Sequence, residues 1–127
     1  MPIIKDFVLP NSPQDLEVPS PEGRKAFLIF VSSDDPETRQ PWCPDVRASW
    51  PHVVAAFEGQ ISPTLHVVKV GQRSEWKDPD NVFRKKWNVS GVPTLARFER
   101  VNGEVVETAR LDENGIMDVG MLHAFLN

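Results

Sequence analysis

Apolar residues in this chain form short runs separated by polar, proline-rich stretches. The run at residues 26–31 contains no polar side chain. An uninterrupted apolar run of this length predicts a strand buried on both faces of a sheet. Two later runs, at residues 94–100 and 104–109, are separated by a turn containing Asn102-Gly103. This dipeptide is typical of tight β-hairpins. Strands are therefore predicted at residues 3–9, 26–31, 65–70, 94–100 and 104–109.

Apolar residues spaced three or four apart predict helices between and after these strands. The main helix is predicted at residues 45–57, with Pro44 in its first turn, where a missing N–H costs little. A brief helix is predicted at residues 13–16, with Ser12 as its cap. Two further helices are predicted at residues 79–87 and 117–126. Their apolar faces are expected to contain Val82, Phe83 and Trp87 in the first, and Met117, Met121, Leu122 and Phe125 in the second.

The predicted order of elements is strand, short helix, strand, helix, strand, helix, strand, strand, helix. This order favours an α/β fold in which a central mixed β-sheet is flanked by helices on both faces. The final hairpin would supply the antiparallel strands. At 127 residues, the chain is predicted to form one domain spanning residues 1–127.

Composition and charge narrow the classes of partner. A net charge of −4 argues against nucleic-acid binding, which needs clustered Lys and Arg. No apolar stretch approaches the roughly 20 residues of a membrane helix, and no secretory signal is apparent. The single cysteine favours a reducing compartment. We therefore expect a cytoplasmic protein with no nucleic-acid or membrane partner, and the scattered histidines predict no metal site.

Cys43 is the candidate reactive residue. It directly precedes Pro44, which is predicted to start the main helix. The free N–H groups and positive end of a helix stabilise a thiolate at that position. Arg47, one turn further on, is expected to add positive potential, whereas Asp45 acts in the opposite direction. The alternative is that Cys43 is a small buried apolar residue.

A second candidate element is the segment Val92-Pro93-Thr94. Proline is tolerated at the start of a strand but not inside a sheet. The Val92–Pro93 bond is therefore a candidate cis peptide at a tight turn. Such a turn would leave the Val92 backbone free to pair with an extended substrate.

Three blocks of sequence carry a family resemblance. They are Trp42-Cys43-Pro44-Asp45; Val70-Gly71-Gln72-Arg73 with Trp76-Lys77-Asp78-Pro79 and Phe83-Arg84-Lys85; and Val92-Pro93-Thr94-Leu95. The chain resembles the thioredoxin-related fourteen-kilodalton proteins, also called thioredoxin domain-containing protein seventeen. The resemblance covers about residues 26–126. It implies a thioredoxin-like fold and cytosolic thiol–disulfide oxidoreductase activity on small disulfides, persulfides and nitrosothiols.

By the same resemblance, Cys43 is the attacking nucleophile within an active-site motif of Trp42, Pro44, Asp45 and Val46. The resolving cysteine of the family falls on Val46, and this departure excludes an internal disulfide. Val92, Pro93 and Thr94 would form the substrate groove.

The sequence supports more than one function. The first is a monothiol oxidoreductase that reduces disulfides, glutathione adducts, persulfides or nitrosothiols through Cys43. No bound cofactor is expected; glutathione or another external thiol would act as reductant. Partners would be small or protein thiol and disulfide substrates, together with the thioredoxin or glutathione system. The alternatives are a redox-inactive thioredoxin-like protein-binding module and a single-cysteine redox sensor.

Overall fold

A five-stranded mixed sheet forms the centre of the computed structural model, which describes residues 3–18, 24–59 and 62–127. The strands are β1 (Ile3–Ile4), β2 (Lys25–Val31), β3 (Leu65–Lys69), β4 (Thr94–Val101) and β5 (Glu104–Leu111). Their order across the sheet is β1-β3-β2-β4-β5. Strand β2 is parallel to β3 and antiparallel to β4, so the continuous apolar run takes the central place. Its residues are buried on both faces of the sheet, as predicted.

Five α-helices accompany the sheet in the described residues. They are α1 (Pro44–Phe57), α2 (Arg73–Lys77), α3 (Val82–Lys86), α4 (Glu113–Ile116) and α5 (Val119–Leu126). A short 3-10 helix at Pro13–Asp15 follows Ser12, as the sequence predicted. None of the described helices has the length and apolar character needed to cross a membrane.

The sheet separates two apolar layers. Alternate side chains of a strand point to opposite faces, so Phe27 and Ile29 of β2 enter one layer while Leu28 and Phe30 enter the other. The first layer is completed by residues of α1, α4 and α5, and we call it the α1 layer: Val46, Val53, Phe57, Ile116, Leu122 and Phe125. The second, which we call the tryptophan layer, contains Trp76 and Trp87.

The predicted strand at residues 3–9 is wrong in length, because β1 ends at Ile4. Ile3 packs in the α1 layer, whereas Phe7 and Leu9 pack against the tryptophan layer. The chain therefore crosses the edge of the sheet after Ile4 and cannot continue the ladder.

The predicted helix at residues 79–87 is also wrong in its bounds. Helix α3 begins only at Val82, because the side chain of Asn81 accepts a hydrogen bond from the Phe83 amide at 2.9 Å. Val82 is 44% exposed and not part of the core, although Trp87 is buried. Helix α2 was not predicted, although Gln72 and Glu75 form a reciprocal capping box at its start.

The predicted C-terminal helix at residues 117–126 is wrong at its start, because α5 begins only at Val119, and the separate helix α4, at Glu113–Ile116, was not predicted. Asp112 caps α4 through the Gly115 amide at 3.1 Å, and Asp118 caps α5 through the Met121 amide at 3.0 Å. Met117 and Met121 are 40% and 51% exposed, and both were wrongly predicted to be core residues.

Candidate active site

Cys43 is the residue immediately before helix α1, and it is half-buried. Pro44 is the first residue of the helix, as predicted. The amides of Val46 and Arg47 donate to the Cys43 carbonyl at 3.1 and 3.3 Å. The first turn therefore closes on Cys43 itself, and the thiol is attached where the free N–H groups of the helix begin.

The thiol faces the segment that precedes β4. The Sγ atom of Cys43 lies 3.7 Å from the carbonyl oxygen of Val92, with the geometry of a weak S–H donor. The Val92–Pro93 peptide bond is cis, as predicted. Thr94 is buried, and its hydroxyl donates to the Gly91 carbonyl at 2.6 Å. The structure thus brings Cys43 and the predicted groove residues Val92 and Pro93 together.

The backbone of Cys43 is anchored to the central strand. Its amide donates to the hydroxyl of Ser32 at 3.2 Å, and Ser32 directly follows β2 with no exposed surface. The amide of Trp42 donates to the Ser33 carbonyl at 3.3 Å. Sequence reasoning missed Ser32, because a serine after a strand has no distinguishing signal without its tertiary partner.

Trp42 is held beside the thiol by contacts to a distant loop. Its indole Nε1 donates to the Gly71 carbonyl at 2.9 Å. The guanidinium of Arg73 lies 4.9 Å from the centre of the ring and donates to the Trp42 carbonyl at 3.1 Å. Arg73, which sequence reasoning did not single out, is therefore the cation stacked on the active-site motif.

Arg47 contacts the loop that precedes the thiol. Its guanidinium donates to the carbonyl of Pro41, in the loop before the thiol. Val46 is buried, with 1% of its surface exposed, and packs in the α1 layer. Pro44 and Asp45 are exposed. The predicted role of Arg47 in stabilising a thiolate stays a prediction.

An open groove of about 670 Å³ lies next to this site and includes Asp45, Val92 and Pro93 among its lining residues. Glu113 of α4 also lines it. A hydrogen bond to the carboxylate of Asp45 raises the pKa of Glu113 above the ordinary value, and burial and the charges of Asp45 and Asp112 act in the same direction. The groove therefore carries a glutamate that holds its proton more readily than an isolated glutamate does.

Arg110 also lines the groove. Its guanidinium donates to the carbonyls of Trp87 and Asn88 at 3.0 and 2.6 Å. It also makes two bonds to the carboxylate of Glu107, at 2.6 and 2.8 Å. Arg110 thus ties β5 to the loop that leads into Val92. In the part of the chain that the structure describes, no three His, Cys, Asp or Glu side chains are grouped so as to hold a metal ion.

The sequence model of one family, "Thioredoxin domain-containing protein 17-like, thioredoxin domain", matches residues 12–127. The chain belongs to this family. A thioredoxin domain-containing protein of Schizosaccharomyces pombe is 36% identical over 101 residues, which cover 80% of this chain and 82% of that protein. Thioredoxin domain-containing protein 17 of Mus musculus is 33% identical over 85 residues, covering 66% of this chain and 68% of the mouse protein.

Solved structures agree on the architecture of this family member. Thioredoxin of Trichomonas vaginalis has a TM-score of 0.60 at 16% identity, and the match covers 98% of this chain and 95% of that one. The predicted α/β thioredoxin-like fold, with its central mixed sheet, is confirmed. Membership of the family supports a thioredoxin-like redox role in general terms.

Proposed function

We propose that this protein is a monothiol oxidoreductase, in which Cys43 carries the chemistry and an external thiol completes the cycle. The observation that carries the proposal is the position of the thiol. It is half-buried at the start of α1, 3.7 Å from the Val92 carbonyl and beside the cis bond to Pro93. A thiol at this position is accessible to a substrate.

The first step is a thiol–disulfide exchange. The Cys43 thiolate attacks one sulfur of a disulfide, a Cys43–substrate disulfide forms, and the other sulfur leaves as a thiolate that takes a proton from water. An external thiolate then attacks the mixed disulfide. This second exchange releases Cys43 as thiolate, and the substrate sulfur leaves in a new disulfide with the external thiol.

The second thiol must be external because Val46 occupies the position of the resolving cysteine. In a dithiol enzyme a cysteine three residues after the nucleophile would attack the mixed disulfide. Here that position is a buried valine with 1% exposure, and the chain contains one cysteine. Glutathione is the reductant that we propose, with the thioredoxin system as the other source of electrons, in a cytoplasmic setting.

The groove beside Val92 is the proposed substrate site. An extended peptide or a small disulfide would lie along Val92 and Pro93, with its reacting sulfur over Cys43. Thr94 supports this segment from the buried side through its bond to Gly91. Substrates would be small or protein disulfides, glutathione adducts, persulfides or nitrosothiols.

Turnover of a glutathione mixed disulfide tests this proposal. The assay would supply excess glutathione and monitor the oxidised glutathione formed. Cys43→Ser should abolish the protein-dependent rate, whereas Ser74→Ala, at an exposed position of α2, should leave it unchanged. An unaltered rate in Cys43→Ser would contradict the proposal.

One observation favours a second candidate, a redox-inactive binding module. Val46 completes the α1 layer, so the position of the second thiol has become a packing position. A partner protein captured equally by wild type and Cys43→Ser, without turnover of any adduct, would favour this candidate. A stable adduct of Cys43 seen by intact mass, again without turnover, would favour the single-cysteine sensor.

A further inference from the structure

A second cavity, of about 410 Å³, lies between α1 and the ends of β2 and β3. It shares no lining residue with the groove beside Val92. Its volume is within the roughly 300–1,000 Å³ of small-molecule sites. The cavity is therefore large enough to take a compact organic molecule and is separate from the proposed substrate site.

The floor of this cavity is apolar. Val31, Val46 and Val67 line it from the sheet and the helix, and all three are buried. The half-buried indole of Trp50 also lines it. A ligand seated here would place an apolar body against these side chains, which accords with the usual composition of small-molecule sites.

The rim of the cavity is cationic. Lys5, Arg47 and Lys69 line it, together with one carboxylate, Asp34. Three cations less one carboxylate leave a local charge of +2, in a chain whose net charge is −4. This local positive charge is opposite in sign to the net charge of the whole protein, and it attracts anions.

The partners of these cations leave their charge largely uncompensated. Lys69 Nζ is 3.7 Å from Asp34 Oδ2, with both side chains close to half-exposed, and such surface pairs interact weakly. Lys5 Nζ lies 5.7 Å from the centre of the Trp50 ring. The guanidinium of Arg47 donates to the Pro41 carbonyl, which is a neutral acceptor and leaves further N–H donors available.

We propose that this cavity binds a small organic anion, a carboxylate or sulfonate attached to an aromatic or branched apolar body. Arg47 and Lys69 would bind the anionic group, and the apolar body would lie on Val46 and Trp50. Ser32, which accepts the hydrogen bond from the Cys43 amide, also lines this cavity. The ligand would therefore contact Ser32, the residue that holds the Cys43 backbone in place, without occupying the substrate groove.

Binding of 8-anilinonaphthalene-1-sulfonate tests the proposal on the intact protein. The dye should bind to wild type with fluorescence enhancement. Arg47→Gln should weaken its affinity by about fivefold, on the order expected for losing one charge at a partly exposed site. The neighbouring cavity of about 440 Å³ shares Lys5 and Lys69 but not Arg47, so the Arg47 variant distinguishes the two.

Two controls make the result decisive. Lys86→Gln, at an exposed position of α3, removes the same charge away from the cavity and should leave dye affinity unchanged. Thermal unfolding should show that Arg47→Gln remains folded.

Competition with a matched pair of small molecules tests the ligand class. 3-Phenylpropionate should displace the dye, and its uncharged amide should displace it at least about tenfold less well. Equal displacement by acid and amide would overturn the proposal. So would dye affinity that is the same in Arg47→Gln and wild type. Because neither measurement involves Cys43, the outcome is independent of the proposed redox function.

Discussion

The hydroxyl of Ser32 accepts a hydrogen bond from the amide of Cys43 at 3.2 Å, and Ser32 is completely buried directly after the central strand. This bond fixes the start of α1 to the most buried strand of the sheet. The position of the thiol relative to Val92 therefore depends on a serine that itself carries no chemistry.

Ser32→Ala should destabilise the protein, because the Cys43 amide loses its acceptor. Leaving a buried donor unsatisfied costs about 1–3 kcal/mol. Urea unfolding should show a loss of that size in the free energy of unfolding. The matched change Ser74→Ala, at an exposed position, should change this free energy by less than about 0.5 kcal/mol. Equal effects of the two substitutions would contradict the anchoring role.

Arg110→Ala should also destabilise the protein, because two backbone carbonyls and the carboxylate of Glu107 lose their donor. Hydrogen bonds that involve a charged group contribute about 1.5–3 kcal/mol, and a loss in that range is expected from urea unfolding. Arg110→Lys should recover less than half of it, since one ammonium group cannot reproduce the planar set of donors.

Arg100 provides the control for Arg110. It lies on the same hairpin, and its guanidinium donates to the Gly103 carbonyl at 3.2 Å. Arg100→Ala should cost less than about 1 kcal/mol, as expected for an exposed contact. A loss as large as that of Arg110→Ala would show that the tie to Trp87 and Asn88 is unimportant.

Glu113→Gln should change how stability depends on pH. The pKa of Glu113 is raised in the folded protein by its hydrogen bond to Asp45, so the folded state retains a proton that the unfolded chain releases. The contribution of Glu113 is therefore fully present below the ordinary glutamate pKa and is lost as pH rises through the raised value. Glutamine, which cannot ionise, should remove this decline.

The measurement for Glu113 is the urea unfolding free energy between about pH 4 and pH 7, which spans the ordinary carboxyl range. The difference between Glu113→Gln and wild type should move in favour of the variant as pH increases. A difference between Glu113→Gln and wild type that stays constant with pH would refute the raised pKa of Glu113.

Val46→Cys should give the protein a second thiol one helical turn from the first. Mild oxidation should then form an intrachain disulfide with Cys43, seen as the loss of two hydrogens by intact mass and of both free thiols. Because Val46 is buried, the reduced variant should be less stable by roughly 0.5–1.5 kcal/mol. Val46→Ala should be destabilised as well but form no intrachain disulfide; absence of the disulfide in Val46→Cys would contradict the proposed geometry.

Local sequence signals predicted most of the sheet. The buried strand β2 and the hairpin at Asn102-Gly103 were predicted from residues that are neighbours in the sequence, and both predictions are confirmed. Asn102 and Gly103 have positive φ angles of 52° and 81°, which this turn type requires. The juxtaposition of Cys43 and Pro93 followed from the resemblance together with the order of elements.

Features that depend on tertiary contacts were not predictable in the same way. The apolar spacing at residues 117–126 fits one helix with both methionines on its apolar face, but Asp118 caps α5, which begins only at Val119, and Met117 and Met121 are exposed. Glu113 acquires its role only because α4 brings it to Asp45, and Ser32 only because the loop returns to β2. No pattern within the local sequence specifies such partners.

The separation of the two apolar layers by the sheet has an evolutionary consequence. Both layers reach the reactive end of α1, because Val46 belongs to the α1 layer, Trp42 packs against the tryptophan layer and Val92 packs against both. Substitutions that do not touch one another have nearly additive effects on stability, so each layer can drift independently of the other only away from these three residues. Descendants of this chain should therefore diverge more slowly at Trp42, Val46 and Val92 than in the rest of the two layers.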